Sequence, residues 1–286
     1  MINEAISNKY DSEMVEKYKN NLNNMSLIII KDQNVTSLKF TDLIPVNMRL
    51  TLLDCENINF NDVPTQLMEL VIHYEKSHNL NIEGLAQMKG LKLLHLPNCQ
   101  IADEHIKELQ NINYLFVMNM SNNQIKLAEQ FTAFKRLRVL TLNNNQIEST
   151  KPLKSISLLE QLNLSSNQLQ NINGLENLSR LKALYLSDNN IQSVDELKGL
   201  INLKMLYLDR NKLDNVQSLK NLINLTILYL ENNNLKSVEP LKALIQLTYR
   251  TFIKLKLNRK YQWFGRSHKS FPSRNSWEQD RKYIWF

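Results

Sequence analysis

Glycine is scarce in this chain: five residues in 286, Gly84, Gly90, Gly174, Gly199 and Gly265, none of them clustered. That excludes GxGxxG and GxxxxGK[ST] loops, whose phosphate cradle needs glycines where the backbone closes on the anion. Cysteine is scarcer still, and Cys55 and Cys99 by themselves supply neither a disulfide framework nor a metal quartet. HExxH, CxxC and GxSxG are missing as well. The expectation is a protein that is not an enzyme and carries no cofactor. There is also no run of 18 apolar residues, and the first 21 residues, MINEAISNKYDSEMVEKYKNN, are polar and charged. A soluble, non-secreted protein of the cytoplasm or nucleus is expected on that basis. Asn-x-Ser/Thr triplets at Asn34 and Asn119 are what an asparagine-rich chain produces by chance.

Tryptophan is absent from the first 247 residues; Trp263, Trp277 and Trp285 all lie beyond them. Charge divides at the same place. Residues 1–247 hold 25 Lys and Arg against 26 Asp and Glu, whereas residues 248–286 hold 10 against 2. The basic pI of about 9.2 therefore describes the last 39 residues and says nothing of the rest.

What the chain has in abundance is a repeat. LRVLTLNNNQI (137–147), LEQLNLSSNQL (159–169), LKALYLSDNNI (181–191), LKMLYLDRNKL (203–213) and LTILYLENNNL (225–235) begin 22 residues apart, and every Leu/Ile position of LxxLxLxxNx[LI] is filled in all five. Upstream, LFVMNMSNNQI (115–125) keeps the step and LKLLHLPNCQI (91–101) places Cys99 24 residues before Asn123. Further steps of 22 reach Ser77, Cys55 and Gln33, with Ile72, Leu50/Leu52 and Ile28/Ile30 at strand positions, for about ten turns. Each LxL buries two side chains on one side of a strand and turns the residue between them to the other. One unit cannot cover its own apolar edge, so neighbours must stack. The asparagines Asn123, Asn145, Asn167, Asn189, Asn211 and Asn233 sit at the turn leaving the strand, where an amide satisfies backbone groups; their role is structural. The second half of each unit, such as VDELKGLINL (194–203), has apolar residues every third position, the period of a 3-10 segment. Two extra residues in ADEHIKELQNI (102–112) point to one α-helical turn.

These motifs resemble the leucine-rich repeat family, in its 22-residue class, over about residues 25–247. The resemblance implies an α/β solenoid, a right-handed horseshoe with a parallel β-sheet on the concave face and short 3-10 or α segments on the convex face. Relatives of this phosphatase-regulatory type serve as phosphatase subunits, spliceosomal adaptors and axonemal light chains. Residues 1–24 are expected to cap the array, with a helix over 8–22 whose Met14, Tyr18 and Leu22 share one face.

The concave face is where such an array binds. Its central column is read as Ile29, Thr51, His73, His95, Asn119, Thr141, Asn163, Tyr185, Tyr207 and Tyr229. The three tyrosines form an aromatic ladder beside Asp188, Asp209, Arg210 and Glu231, the mixture that protein interfaces use as anchors. His73 and His95 are expected side by side, without the further ligands that a metal site needs. Cys55 and Cys99, two repeats apart at roughly 10 Å, cannot form a disulfide. The expected function is a monomeric, non-enzymatic scaffold binding a protein partner on its concave face, with a phosphatase regulatory subunit as the alternative.

The tail has its own readings. Alternation in FIKLKLN (252–258) suits an edge strand blunted by Lys254 and Lys256 that ends the sheet. Beyond it, Tyr261, Trp263, Phe264 and Phe271 interleave with Arg259, Lys260, Arg266, Lys269 and Arg274. A cap or extension, an out-of-frame gene end, and a site for nucleic acid or a membrane surface all remain open there.

Overall fold

The computed structural model describes residues 27–31, 49–63 and 65–247, and the backbone alone of 253–257 and 260–264. The expected capping helix over 8–22 and the basic aromatic segment after residue 264 lie outside the described residues.

Ten parallel strands form one sheet in chain order: β1 (Leu27–Lys31), β2 (Arg49–Leu53), β3 (Glu69–His73), β4 (Leu93–His95), β5 (Val117–Asn119), β6 (Val139–Thr141), β7 (Gln161–Asn163), β8 (Ala183–Tyr185), β9 (Met205–Tyr207) and β10 (Ile227–Tyr229). Strand neighbours in sequence are neighbours in the sheet, so the connections only have to step over one repeat. They do so through 3-10 segments such as Asp195–Gly199, Gln217–Asn221 and Glu239–Ala243, and the chain is a leucine-rich-repeat solenoid. Asp103–Glu108 is the one α-helix among the described residues, α1, lodged where the repeat carries its two extra residues. Leucines at the repeat positions, among them Leu140, Leu162, Leu184 and Leu206, are wholly buried and stack into one continuous core. No helix among the described residues is long and apolar enough to cross a membrane.

Asparagine explains the regularity. Asn167 Nδ2 donates to the Leu142 carbonyl of the preceding repeat at 2.9 Å and to the Leu164 carbonyl of its own at 3.0 Å, while its Oδ1 accepts the Ile147 N–H at 2.9 Å. Asn145, Asn189, Asn211 and Asn233 repeat the pattern one rung at a time. Where cysteine takes the position, the thiol supplies a single weak donor, Cys99 Sγ to the Pro97 carbonyl at 3.2 Å. Burial pushes the Cys99 thiol well above its ordinary range, so it is a neutral donor.

Turning the backbone under this amide has a conformational cost. The residue before each ladder position is left-handed: Asn98, Asn122, Asn144, Ser166, Asp188, Arg210 and Asn232 all have φ between 55° and 59°. Asparagine and aspartate tolerate that region, but Ser166 and Arg210 hold it against their preference.

The early strands correct the sequence reading. A uniform 22-residue step places His73 at the centre of its strand, yet Val71 pairs with Thr51 on one side and His95 on the other. The step from Leu50 to Leu70 is 20 residues and that from Leu70 to Leu94 is 24. A two-residue slip preserves the alternation of inward and outward side chains, so the pattern of leucines cannot reveal it. The extra length after β3 forms a loop in which Tyr74 and His78 rings stack at 4.4 Å and the buried Tyr74 hydroxyl donates to the Cys55 carbonyl at 2.8 Å. Ser77 is therefore not a ladder residue.

Ile253–Leu257 forms a strand, β11, hydrogen-bonded antiparallel to Lys260–Phe264, β12, in a separate two-stranded sheet. The facing of its side chains lies outside the described residues.

Asn167→Ala should orphan the Ile147 N–H and two carbonyls in the buried turn and cost about 3 kcal/mol in urea unfolding, whereas Asn167→Cys retains a donor and should cost less. Gly174, at φ 96°, should be equally intolerant: an added Cβ would lie 2.8 Å from the Lys151 backbone of the preceding repeat. Gly174→Ala is expected to lose at least about 2 kcal/mol in the same measurement.

Candidate binding surface

The sheet face carries two columns of outward side chains, because residues two apart on a strand point the same way. Strand register aligns the first column as Leu93, Val117, Val139, Gln161, Ala183, Met205 and Ile227. The second column reads His95, Asn119, Thr141, Asn163, Tyr185, Tyr207 and Tyr229. Sequence reasoning identified the second column and missed the first. Its signal was present, since the third position of LxxLxL is unconstrained by the core and is nonetheless apolar in six of these seven repeats.

The tyrosines stack. Tyr185 and Tyr207 ring centroids are 4.8 Å apart at 29°, and Tyr207 and Tyr229 are 4.6 Å apart at 17°. Strand spacing sets that distance, so each ring is covered by the next. Tyr185 is only 8% exposed, and burial raises its hydroxyl pKa. Tyr207 and Tyr229 stay half-buried, with Met205 and Ile227 beside them. The accessible aromatic surface is thus carried by two tyrosines.

The charges beside the ladder pair with one another. Arg210 reaches back one repeat to grip Asp188 with both Nε and Nη2, the latter at 2.6 Å, and its Nη2 lies 3.3 Å from Asp209. Asp209 also accepts the Ser187 hydroxyl. The Asp188 carboxylate, with Asp209 and Glu231 nearby, raises the Arg210 pKa. Of the four, Asp209 is buried and the other three are half-buried. On the opposite margin, four of the seven residues entering strands β4–β10 are basic and exposed, Lys92, Arg138, Lys182 and Lys204, the others being Phe116, Glu160 and Thr226. Glu160 bridges Arg138 at 3.1 Å and Lys182 at 2.6 Å, and the Lys182 hydrogen bond holds its carboxyl below the usual range. The face therefore runs from a basic margin, across apolar and aromatic columns, to an acidic one.

The polar half of the second column is organised around His95. Asn119 Oδ1 accepts the Ser121 N–H at 2.9 Å, which orients the amide so that Nδ2 donates to His95 Nδ1 at 3.0 Å. An imidazole accepting at Nδ1 is neutral, and desolvation, with His73 adding to it, lowers the His95 pKa to about 4. His73 acts on His95 from the adjacent strand, though the two are not on one rung. Among the described residues no group of three or more His, Cys, Asp or Glu could hold a metal ion.

The profile of Leucine Rich repeats (2 copies) matches residues 179–221, the two units on which Tyr185 and Tyr207 sit. Among solved structures, an internalin, inlF, from Listeria monocytogenes is similar at 19% identity and a TM-score of 0.54, over 87% of this chain and 93% of that one. Internalin C2 from the same organism aligns at 26% identity and a TM-score of 0.49, over 59% of this chain and 83% of its own. No curated protein matches the chain. The likeness to inlF is one of fold.

An unfolded histidine titrates near 6.5, so between that pH and about 4 the unfolded chain takes up a proton that folded His95 refuses. Stability should fall as pH drops through this window, by about 1–3 kcal/mol at its lower end. His95→Asn should flatten the urea-unfolding profile between pH 6.5 and 5; an unchanged slope would remove His95 as its source.

Proposed function

We propose that the protein is a non-enzymatic scaffold that binds a protein partner on the sheet face, centred on Tyr207, Tyr229, Met205 and Ile227. The observation that carries this reading is the ordering of the face itself. Half-buried aromatic and apolar columns lie between a basic and an acidic margin, on a backbone that the asparagine rungs hold rigid. Protein interfaces concentrate tyrosine and methionine in a desolvated centre with charge at the rim. A rigid platform also avoids the ordering cost of flexible loops. Asp188, Asp209 and Arg210 serve this surface indirectly: their mutual pairing fixes the acidic margin and leaves a partner to read its net negative charge.

The step from Met118 onward is 22 residues at every strand, the spacing of the phosphatase-regulatory class, which supports a phosphatase catalytic subunit as the first partner to look for.

Affinity purification should compare the intact protein with Tyr207→Ser/Tyr229→Ser, identifying every protein retained. The double variant should lose its main partner while its Tm falls by only a few degrees, the size of two lost stacking contacts. An identical set of co-purifying proteins from a folded double variant would remove the aromatic face as the binding surface.

A further inference from the structure

A second surface lies away from the sheet face, in the turns that lead from each 3-10 segment to the next strand. Ile201, Ile223 and Ile245 recur there at 22-residue steps and are 54%, 53% and 81% exposed. Their flanking leucines, Leu200, Leu203, Leu222, Leu225 and Leu244, are all buried, so the isoleucines are outward by position. The turns of the first two are pinned: Asn202 Nδ2 donates to the Ser179 carbonyl at 2.9 Å, and Asn224 Nδ2 to the Ile201 carbonyl at 2.8 Å. Stiff β-branched side chains on a tied backbone make a ridge of fixed shape. The two preceding repeats have Ser157 and Ser179 in this position, so the ridge is confined to the last three units.

Charge runs alongside. Lys198, Lys220 and Lys242, three residues before each isoleucine, are exposed, and Lys204 is exposed three residues after Ile201. The carboxylates of the same segments, Asp195, Glu196 and Glu239, stand farther from the isoleucines in sequence than the lysines do. Asp195 is engaged by the Ser218 hydroxyl, and Glu239 by Lys242 at 2.8 Å.

We propose that this ridge docks an acidic amphipathic helix of a partner protein, with the helix's apolar row on the isoleucines and its carboxylates toward the lysine column. The spacing supports a helix. Repeats succeed one another at about 4.8 Å along the sheet, close to the 5.4 Å pitch that separates successive apolar residues on one helix face, and shorter than the roughly 6.6 Å between same-face residues of a strand. Shape favours a partner helix over a bilayer: three isoleucines in a single row offer little of the apolar area on which interfacial binding depends. The ridge is separate from the sheet face, so the proposal stands independently of the function proposed above and gives the scaffold a second site.

The test uses the full chain and two labelled helical peptides of about 18 residues, each with leucines at i, i+4, i+7 and i+11, one flanked by glutamate and one by lysine. Fluorescence anisotropy should show the acidic peptide bound at least about tenfold more tightly than the basic one. Ile201→Ser/Ile223→Ser/Ile245→Ser should abolish that binding, Lys198→Glu/Lys220→Glu should reverse the preference, and Tyr207→Ser/Tyr229→Ser should leave it unchanged. All three positions are exposed, and far-UV circular dichroism confirms that each variant is folded. Four results would overturn the proposal: equal binding of both peptides, no binding of the acidic one, loss of binding only in the tyrosine variant, or ridge-dependent binding of phosphatidylserine vesicles or self-association in place of the peptide.

Discussion

Each ladder asparagine ties two repeats together through one buried amide. Its NH2 group closes the turn of its own repeat and reaches a carbonyl of the preceding one, while its oxygen takes an N–H two residues beyond the preceding ladder position. The amide has donors and an acceptor in a fixed fork, so it fits only when neighbouring repeats stand in a single register. Successive leucine layers then fall directly over one another, and the sheet columns align rung upon rung. The left-handed residue before each asparagine is the backbone's accommodation to this bond, and Arg210 and Ser166 show that the constraint outweighs their own preference.

Both proposed surfaces inherit their order from that bond. A column of tyrosines stacks because the strands carrying them are held at one spacing; within it Tyr185 is buried while Tyr207 and Tyr229 stay half-buried. The isoleucine ridge exists for a parallel reason, with a second set of asparagine contacts, from Asn202 and Asn224, fixing its first two turns. A repeat protein thereby turns a one-residue choice, made at the same position in three units, into an extended stripe.

Much of this was legible in the order of residues. The 22-residue step, the buried leucines, the 3-10 period of the outer segments and the helical turn over Asp103–Glu108 all follow from spacing, because each repeat folds against copies of itself and local pattern meets little contradiction. The exceptions have a shared physical cause. Spacing distinguishes inward from outward, but a slip of two residues leaves that distinction intact, so the placement of Val71 instead of His73 between Thr51 and His95 needed the actual length of the loops around β3.

Outward residues were the less legible ones. Sequence alone determined that Tyr185, Tyr207 and Tyr229 share a column and that Asp188, Asp209, Arg210 and Glu231 lie near it. Only the tertiary structure decided that the first tyrosine is buried while the other two stay half-buried, that Arg210 is committed to Asp188, and that Ile201, Ile223 and Ile245 stand in the open among buried leucines. Exposure of a solvent-facing side chain depends on what the adjacent repeat places about 5 Å away. That distance joins residues 22 apart in the chain, and no single repeat contains the information.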